Sequence, residues 1–219
     1  MSLAERLASV KKEIEIACID ARRKPGAVHL IAVSKLQPVS LIEEAYHLGQ
    51  RDFGENYVQE LTEKKQTLAH LPDIRWHLIG SLQSNKARQA LACADYFHAL
   101  DSLRLAQELS KRSEGTQKIL PVFIQINVDT EATKSGVKPE ELDSLLTTIR
   151  MLPGLTVKGL MTIPAPKSDM HPTFQKMREL SEPHHLELSM GMSEDFSQAI
   201  KDGSNWVRVG RKIFGDRPN

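Results

Sequence analysis

Lys35 is the first residue of this sequence whose type and position could support chemistry. It directly follows the run Val28–Ser34, which is short and almost wholly apolar, as a buried strand would be. An amine held against apolar walls loses the hydration of its charged form, so its pKa falls and it becomes a nucleophile for aldehydes. The alternative is a lysine at a strand end that only extends into solvent.

A second set of candidates lies near the other end of the chain. Residues 189–193 read Ser-Met-Gly-Met-Ser and precede a predicted helix, and residues 208–211 read Arg-Val-Gly-Arg. Glycines let the backbone approach an anion closely, while a serine hydroxyl and the free N–H groups of a helix start can donate to a phosphate. Glu194 and Asp195 would repel a phosphate unless their side chains turn away. Ordinary turn glycines with a capping serine are the alternative.

Arg208 alternates with Val207 and Val209 along a predicted strand. If the two valines pack under helices, Arg208 points to the opposite face of the strand. A guanidinium there needs an acceptor, either a ligand atom or a carboxylate. An amine, an arginine and a phosphate site close together would suit a phosphorylated aldehyde.

These residues must be positioned by strands and helices that alternate along the chain. Ser2 and Glu5 form a possible capping box for a first helix, which runs to the basic stretch 22–24 and is stopped by Pro25 and Gly26. Eight predicted strands follow, each separated from the next by a helical stretch. They are Val28–Ser34, Arg51–Gly54, Arg75–Gly80, Tyr96–Leu100, Leu120–Val128, Leu155–Ile163, Leu186–Ser189 and Trp206–Gly210.

Strands that alternate with helices pair in parallel, and eight such units fit a closed barrel. We therefore predict an α/β protein with a single (β/α)8 TIM barrel and an extra N-terminal helix. Residues 1–219 are expected to form one domain, with the helix in residues 1–25 and the barrel in residues 28–215. An open doubly wound sheet is the alternative. Only the closed barrel makes the first and eighth strands neighbours, which places Lys35 beside Arg208.

The composition argues against several classes of protein. The 219 residues contain 29 Lys plus Arg and 28 Asp plus Glu, and this net charge of +1 argues against a nucleic-acid binder. No apolar run approaches the ~18 residues that span a bilayer, and the N-terminus lacks a signal peptide's apolar segment. Cys18 and Cys93 are the only cysteines, which excludes a disulfide scaffold. We expect a cytoplasmic protein.

Other polar residues are weaker candidates. Segments 54–57 and 80–86 follow the second and third strands, and they either present amides and hydroxyls at the same rim or are solvated loops. His77 is expected to be a core histidine with satisfied hydrogen bonds. His184 and His185 have no third ligand at a recognisable spacing, so no metal site is predicted.

The sequence strongly resembles the YggS/PROSC family of pyridoxal 5′-phosphate (PLP) homeostasis proteins. The resemblance covers nearly the whole chain in the right order. The matching segments are 32–35, 53–60, 76–86, 159–163, 189–193, 207–210 and 213–215. It implies a barrel like the N-terminal domain of alanine racemase that holds PLP as a Schiff base.

The same resemblance implies roles for individual residues. Lys35 matches the lysine that binds the aldehyde, and Arg208 matches the partner of the pyridine nitrogen. The remaining implied cofactor contacts are Asn56 on the rim and, around the phosphate, Ser189, Ser193, Gly210 and Arg211. Many relatives carry a small hydroxyl residue where this chain has Arg211, so its backbone N–H or its guanidinium must serve instead.

The function implied by the resemblance is reversible carriage of PLP in intracellular vitamin B6 and amino-acid homeostasis, without catalytic turnover. An arginine cannot accept a proton from the pyridine nitrogen, which weakens carbanion chemistry, and a racemase needs a base on each face of its substrate. The chain ends soon after the eighth strand, so we expect no second domain of the kind that racemases have. Expected partners are PLP and PLP-dependent apo-enzymes, with no nucleic acid or membrane, and the protein is expected to be a monomer. The alternatives are a small PLP-dependent racemase or transaminase of the same barrel type, and a barrel that binds another phosphorylated metabolite without a covalent link.

Overall fold

The computed structural model describes residues 1–129, 135–165 and 169–216 and opens with helix α1, Leu3–Asp20. The predicted capping box is present, because Glu5 N donates to Ser2 Oγ at 3.2 Å and Ser2 N donates to the Glu5 carboxylate at 2.8 Å. The helix ends at Asp20, before the predicted stop at Pro25. Arg22 has a φ of 54°, and this left-handed conformation already turns the chain out of the helix.

Eight parallel strands pair in chain order and close into a barrel, which confirms the predicted TIM barrel and excludes the open sheet. The strands are β1 His29–Val33, β2 Asp52–Glu55, β3 Arg75–Leu78, β4 Tyr96–Leu100, β5 Leu120–Gln125, β6 Leu155–Met161, β7 Glu187–Ser189 and β8 Trp206–Val209. Closure is made by β1 and β8, in which Ile31 is opposite Arg208.

Helices follow the strands around the barrel. They are α2 Val39–His47, α3 Val58–Thr67, α4 Ala87–Cys93, α5 Leu103–Ser113, α6 Leu142–Arg150, α7 His171–Ser181, α8 Phe196–Lys201 and α9 Arg211–Phe214, with short 3₁₀ turns at Ser84–Lys86, Pro139–Glu141 and Glu182–His184. Among the described residues, no helix combines the length and the apolarity needed to cross a bilayer.

The two faces of the strands form different parts of the core. Val207 and Val209 point outward to the helices and are fully buried, as the alternation in β8 predicts. The inward face of the barrel is aromatic and polar. The Trp206 ring has its centroid 5.3 Å from that of His77 and 6.1 Å from that of Phe123, so side chains from three strands meet inside.

Candidate functional site

A cavity of about 430 Å³ opens at the carboxyl end of the barrel strands, where TIM barrels assemble their sites. Its volume is within the range of small-molecule pockets. Six of the seven predicted cofactor residues line it: Lys35, Asn56, Ser193, Arg208, Gly210 and Arg211. Barrel closure therefore brings the two ends of the sequence to one cavity, as predicted.

Lys35 stands two residues after the end of β1 and is partly buried. The next residue, Leu36, has a φ of 61°, a left-handed conformation that a branched side chain rarely adopts. The Leu36 N–H donates to Glu60 Oε1 at 2.6 Å, which ties this turn to helix α3. A strained turn held by a specific contact is typical of a functional site.

A buried ion pair lies next to this turn. Lys64 Nζ is 2.9 Å from Glu55 Oε1 and 2.7 Å from Glu60 Oε1, and it also donates to the carbonyl of Ser34 at 2.7 Å. The Ser34 hydroxyl donates to Glu55 Oε1 at 2.6 Å. Burial raises the pKa of Glu55 to about 7, although Lys64 and Ser34 favour the ionised form. The residue before Lys35 is thus held through both its carbonyl and its hydroxyl.

Sequence reasoning missed Glu55 and Lys64. Glu55 belongs to the segment 54–57, for which the sequence predicts a polar loop, whereas it is the last residue of β2 and is fully buried. Lys64 did carry a signal, since it comes three residues after Leu61 and four before Leu68 and so lies on the apolar face of α3. A lysine at such a position needs a buried partner.

Arg208 is buried, with 4% of its surface exposed, and points inward as predicted. Its Nη1 donates to the carbonyl of Ser189 at 2.7 Å, and its Nη2 donates to the carbonyl of Thr162 at 2.8 Å. Burial lowers the pKa of Arg208 to about 10, and the charge of Asp195 partly opposes this. The guanidinium is therefore charged at neutral pH and can only donate hydrogen bonds.

Ser189 is the one predicted contact that is not among the residues lining the cavity. It is fully buried inside the barrel, where its hydroxyl accepts from Arg208 Nη1 at 2.8 Å and lies 3.0 Å from His98 Nδ1. The last residue of a short strand points inward here, rather than up to the rim. Its hydroxyl thus contacts Arg208, and its role as a phosphate contact stays a prediction.

The turn after β7 and the start of α9 supply the anion-binding geometry. In the described part of the chain, no backbone carbonyl accepts from the N–H groups of Ser193 and Arg211, and Arg211 is the first residue of a helix. Gly191 has a φ of 94°, and a Cβ there would lie 2.6 Å from that of Ala199, so only glycine allows this close turn. Donors of this kind suit a phosphate.

Ser193, the capping serine of the alternative interpretation, is not the N-cap of the following helix. Helix α8 begins at Phe196 with Asp195 as its N-cap, and Ser193 is buried beside the cavity instead. The Asp195 carboxylate accepts from Met192 N at 2.6 Å, and Glu194 Oε1 lies 3.7 Å from Arg211 Nη2. Both acids thus have cationic or N–H partners of their own.

Two rim loops meet on the opposite side of the cavity. A Cβ at Gly80 would lie 2.3 Å from the carbonyl oxygen of Asn56, so the loops after β2 and β3 touch through their backbones. Asn56, Gly80 and Ser81 line the cavity there. The polar segments after these strands therefore contribute to the site.

His77 and His184, which the sequence suggested as candidates, have hydrogen-bond partners away from the cavity. His77 is fully buried with hydrogen bonds to Asp52 and His98, as predicted for a satisfied core histidine. His184 Nε2 pairs with Asp143 at 2.8 Å. Within the described residues, no group of three His, Cys, Asp or Glu side chains could hold a metal ion.

The cavity thus combines an amine, a charged guanidinium and a turn with unused N–H groups. Such a set can form a covalent bond with an aldehyde, donate to a ring acceptor and hold a phosphate. A phosphorylated aromatic aldehyde has all three of these features.

Comparison with known proteins is consistent with this chemistry. The family model described as alanine racemase, N-terminal domain, matches residues 14–218. A protein of Pseudomonas aeruginosa named pyridoxal phosphate homeostasis protein is 43% identical over 222 residues, which cover 99% of this chain and 96% of that protein. The protein of the same name from Escherichia coli is 42% identical, with 98% and 97% covered.

Solved structures give the same similarity in three dimensions. PipY of Synechococcus elongatus is 38% identical and covers 98% of this chain and 100% of its own, with a TM-score of 0.87 without PLP and 0.84 with PLP bound. An alanine racemase of Clostridium difficile has a TM-score of 0.73 at 14% identity, with 95% of this chain and 58% of that chain covered. This last likeness is one of fold alone.

Proposed function

The chain belongs to the alanine racemase N-terminal domain family, and we propose that it binds PLP as a Schiff base on Lys35 and acts as a reversible carrier in PLP homeostasis. The observation that carries the proposal is that barrel closure places Lys35, Arg208 and the turn at Ser193 around one cavity. Close relatives are named pyridoxal phosphate homeostasis proteins, and PipY has been solved with PLP bound. We further propose that residues 1–219 form a single PLP-binding domain.

The donor set fits the three functional groups of PLP. Lys35 lines a cavity of suitable volume, and condensation of its amine with an aldehyde there would release one water and leave a carbon–nitrogen double bond. The N–H groups of Ser193 and Arg211 and the Ser193 hydroxyl would hold the phosphate. When bound, PLP supplies an electron-accepting ring and a reactive aldehyde.

Arg208 favours carriage over catalysis. Three of its five N–H hydrogens are used by Ser189 and Thr162, which leaves two for a ligand. A charged guanidinium donates to a ring nitrogen and cannot take its proton, so it keeps that nitrogen unprotonated and limits electron withdrawal.

A racemase of the alanine racemase type is not favoured. Racemisation requires a base on each face of the substrate, and the described residues that line the cavity include no tyrosine or histidine. Both nearby acids are engaged, Asp195 with Met192 N and Glu194 with Arg211. We therefore propose that the protein binds and releases PLP without turnover.

The partners and compartment follow from this role. We propose that the protein works as a monomer that delivers PLP to apo-enzymes in the cytoplasm. Cys18 and Cys93 are both buried free thiols, which suits a reducing compartment.

Borohydride trapping tests the proposal. The protein is incubated with PLP, reduced with sodium borohydride, digested and mapped by mass spectrometry. The label is expected on Lys35 and should be absent in Lys35→Ala, which should still bind PLP weakly through the phosphate. Lys86→Ala, a rim lysine that is not among the residues lining the cavity, is the control and should keep the label. Labelling of another lysine in the wild-type protein would refute the assigned site.

Two further assays separate the carrier from its alternatives. Incubation with D- and L-amino acids should give no racemised product, and formation of such product would favour the racemase. Loaded protein should activate a PLP-dependent apo-enzyme. Absence of a visible Schiff-base absorbance would favour a barrel for another phosphorylated metabolite.

A further inference from the structure

A continuous chain of hydrogen bonds runs through the barrel interior from the amino end of β2 to the candidate site. Asp52 Oδ1 lies 2.9 Å from His77 Nε2, and His77 Nδ1 lies 3.0 Å from His98 Nε2. His98 Nδ1 lies 3.0 Å from Ser189 Oγ, which in turn accepts from Arg208 Nη1 at 2.8 Å. The five residues come from β2, β3, β4, β7 and β8.

The middle of this hydrogen-bond chain, from His77 to Ser189, is closed to solvent. His77, His98 and Ser189 are fully buried, and Asp52 and Arg208 nearly so. Aromatic rings stack on both histidines, with Tyr96 at 4.6 Å from His77 and Phe123 at 4.2 Å from His98 between centroids. Because water cannot substitute for a missing partner here, each group depends on its neighbours in the chain.

The ionised Asp52 determines which group donates and which accepts in each hydrogen bond of the series. Burial opposes ionisation of this carboxyl, but hydrogen bonds and charge from Arg75 and His77 outweigh burial and lower its pKa to about 2. A carboxylate only accepts, so His77 carries its hydrogen on Nε2 and leaves Nδ1 as an acceptor. Burial lowers the pKa of both His77 and His98, so both rings are neutral at pH 7.

The same order of donor and acceptor continues from His77 to Ser189. With His77 Nδ1 as acceptor, His98 must donate from Nε2, and its own Nδ1 accepts from the Ser189 hydroxyl. The hydroxyl hydrogen is thereby used, and a lone pair of Ser189 Oγ faces Arg208 Nη1. The reverse order would leave two acceptors, His77 Nε2 and the Asp52 carboxylate, facing each other.

We propose that Asp52, His77 and His98 are positioning residues of the PLP site. Through a chain of hydrogen bonds with one direction, they present Ser189 Oγ as an acceptor and so fix the orientation in which the Arg208 guanidinium meets the pyridine nitrogen. This inference rests on the proposed function, because these hydrogen bonds orient Arg208 for its proposed contact with PLP.

The structure offers a matched control for Ser189. Ser204 is also a fully buried serine, and its hydroxyl donates to the carbonyl of Met190 at 2.7 Å. Among the described residues, the hydroxyl of Ser204 has hydrogen bonds only with backbone groups of Leu188, Met190 and Trp206, none of which belongs to the hydrogen-bond chain. Removal of this hydroxyl in Ser204→Ala therefore tests the loss of a buried hydrogen bond without interrupting the chain.

The test compares Ser189→Ala, His98→Phe and Asp52→Asn with Ser204→Ala. The readouts are the imidazole nitrogen NMR shifts of the PLP-free protein, the absorbance spectrum of the loaded protein and the Kd for PLP. We expect the first three variants to shift the absorbance and to weaken PLP binding by roughly three- to tenfold, the net effect of one typical intramolecular hydrogen bond. Ser204→Ala should retain the wild-type spectrum and affinity, whatever its effect on Tm. In the wild-type protein, both histidines should carry hydrogen on Nε2.

The outcomes separate this inference from the proposed function. A wild-type protein that does not bind PLP overturns both. If the wild-type protein binds PLP, and Ser189→Ala and Asp52→Asn match Ser204→Ala in spectrum and affinity, the positioning role is overturned alone. Hydrogen on His98 Nδ1 in the PLP-free wild-type protein also overturns it, and this measurement needs no variant to fold.

Discussion

The ammonium group of Lys64 lies 2.9 Å from the carboxylate of Glu55, and the same ammonium group donates to the carbonyl of the residue that precedes Lys35. This buried ion pair therefore connects helix α3 to the turn that carries the proposed nucleophile. Its two members are not among the described residues that line the cavity, but they hold Ser34, the residue before Lys35.

Loss of Lys64 should destabilise the protein strongly. Lys64→Met leaves the Glu55 carboxylate buried without its cation, and a broken buried ion pair costs about 3–5 kcal/mol. Urea unfolding at pH 8 should show this loss, and Glu55→Gln/Lys64→Met should recover much of it. The neighbouring Lys65→Met, which removes a partly exposed lysine, is the control. If Lys64→Met and Lys65→Met lowered the free energy of unfolding equally, the prediction would be contradicted.

The stability of the protein should depend on the ionisation of Glu55. Burial raises its pKa from 4.5 to about 7, so the folded protein binds this proton more tightly than the unfolded chain does. The resulting stabilisation is fully present below pH 4.5 and is lost as the pH rises through 7, by roughly 3 kcal/mol.

Glutamine does not titrate, so Glu55→Gln should not lose this stability as the pH rises. Urea unfolding from pH 4.5 to 8 should therefore show Glu55→Gln gaining stability relative to the wild-type protein as the pH rises. Glu60→Gln, which changes the other carboxylate at Lys64, should retain the wild-type dependence. Parallel curves for Glu55→Gln and the wild-type protein would exclude this assignment.

Gly191 should be essential to the conformation of the turn 191–193, where we propose that the phosphate binds. Alanine at a left-handed φ costs roughly 1–2 kcal/mol, and here its Cβ would also lie 2.6 Å from that of Ala199. We expect Gly191→Ala to weaken PLP binding at least tenfold by displacing the turn. Gly203→Ala is the control, because Gly203 has a φ of 106° but no atom within 3.5 Å of the added Cβ. It should lose stability without a comparable loss of affinity in a PLP titration.

Arg211 and Glu194 should affect PLP affinity in opposite directions. Arg211→Ala removes an exposed cation from the cavity and should raise the Kd about threefold at low ionic strength. The effect should shrink in high salt, because exposed charges are screened. Glu194→Gln removes a carboxylate that competes for Arg211 and should lower the Kd. The ammonium group of Lys212 pairs with Glu13, so Lys212→Ala should change neither the Kd for PLP nor its salt dependence. If Lys212→Ala raises the Kd as much as Arg211→Ala does, the effect comes from net charge alone.

The barrel and most residues of the cavity could be predicted from the amino-acid sequence alone. Alternating strand and helix signals fixed the parallel order, and the order of eight units placed Lys35 and Arg208 on strands that meet. The glycines and serines around positions 191 and 210 indicated the segments that line the cavity beside Arg208. These features are local, because they depend on periodicity and on the residue types at strand ends.

The side chains that support the cavity residues from behind became visible only in the folded protein. Ser189 lies inside the barrel under Arg208, Glu55 pairs with Lys64, and His98 connects Ser189 to the amino end of β2. His98 and Ser189 are 91 residues apart, and nothing in either local pattern shows that they touch. Contacts between distant strands depend on how the closed barrel packs its interior, and that packing is a property of the whole chain.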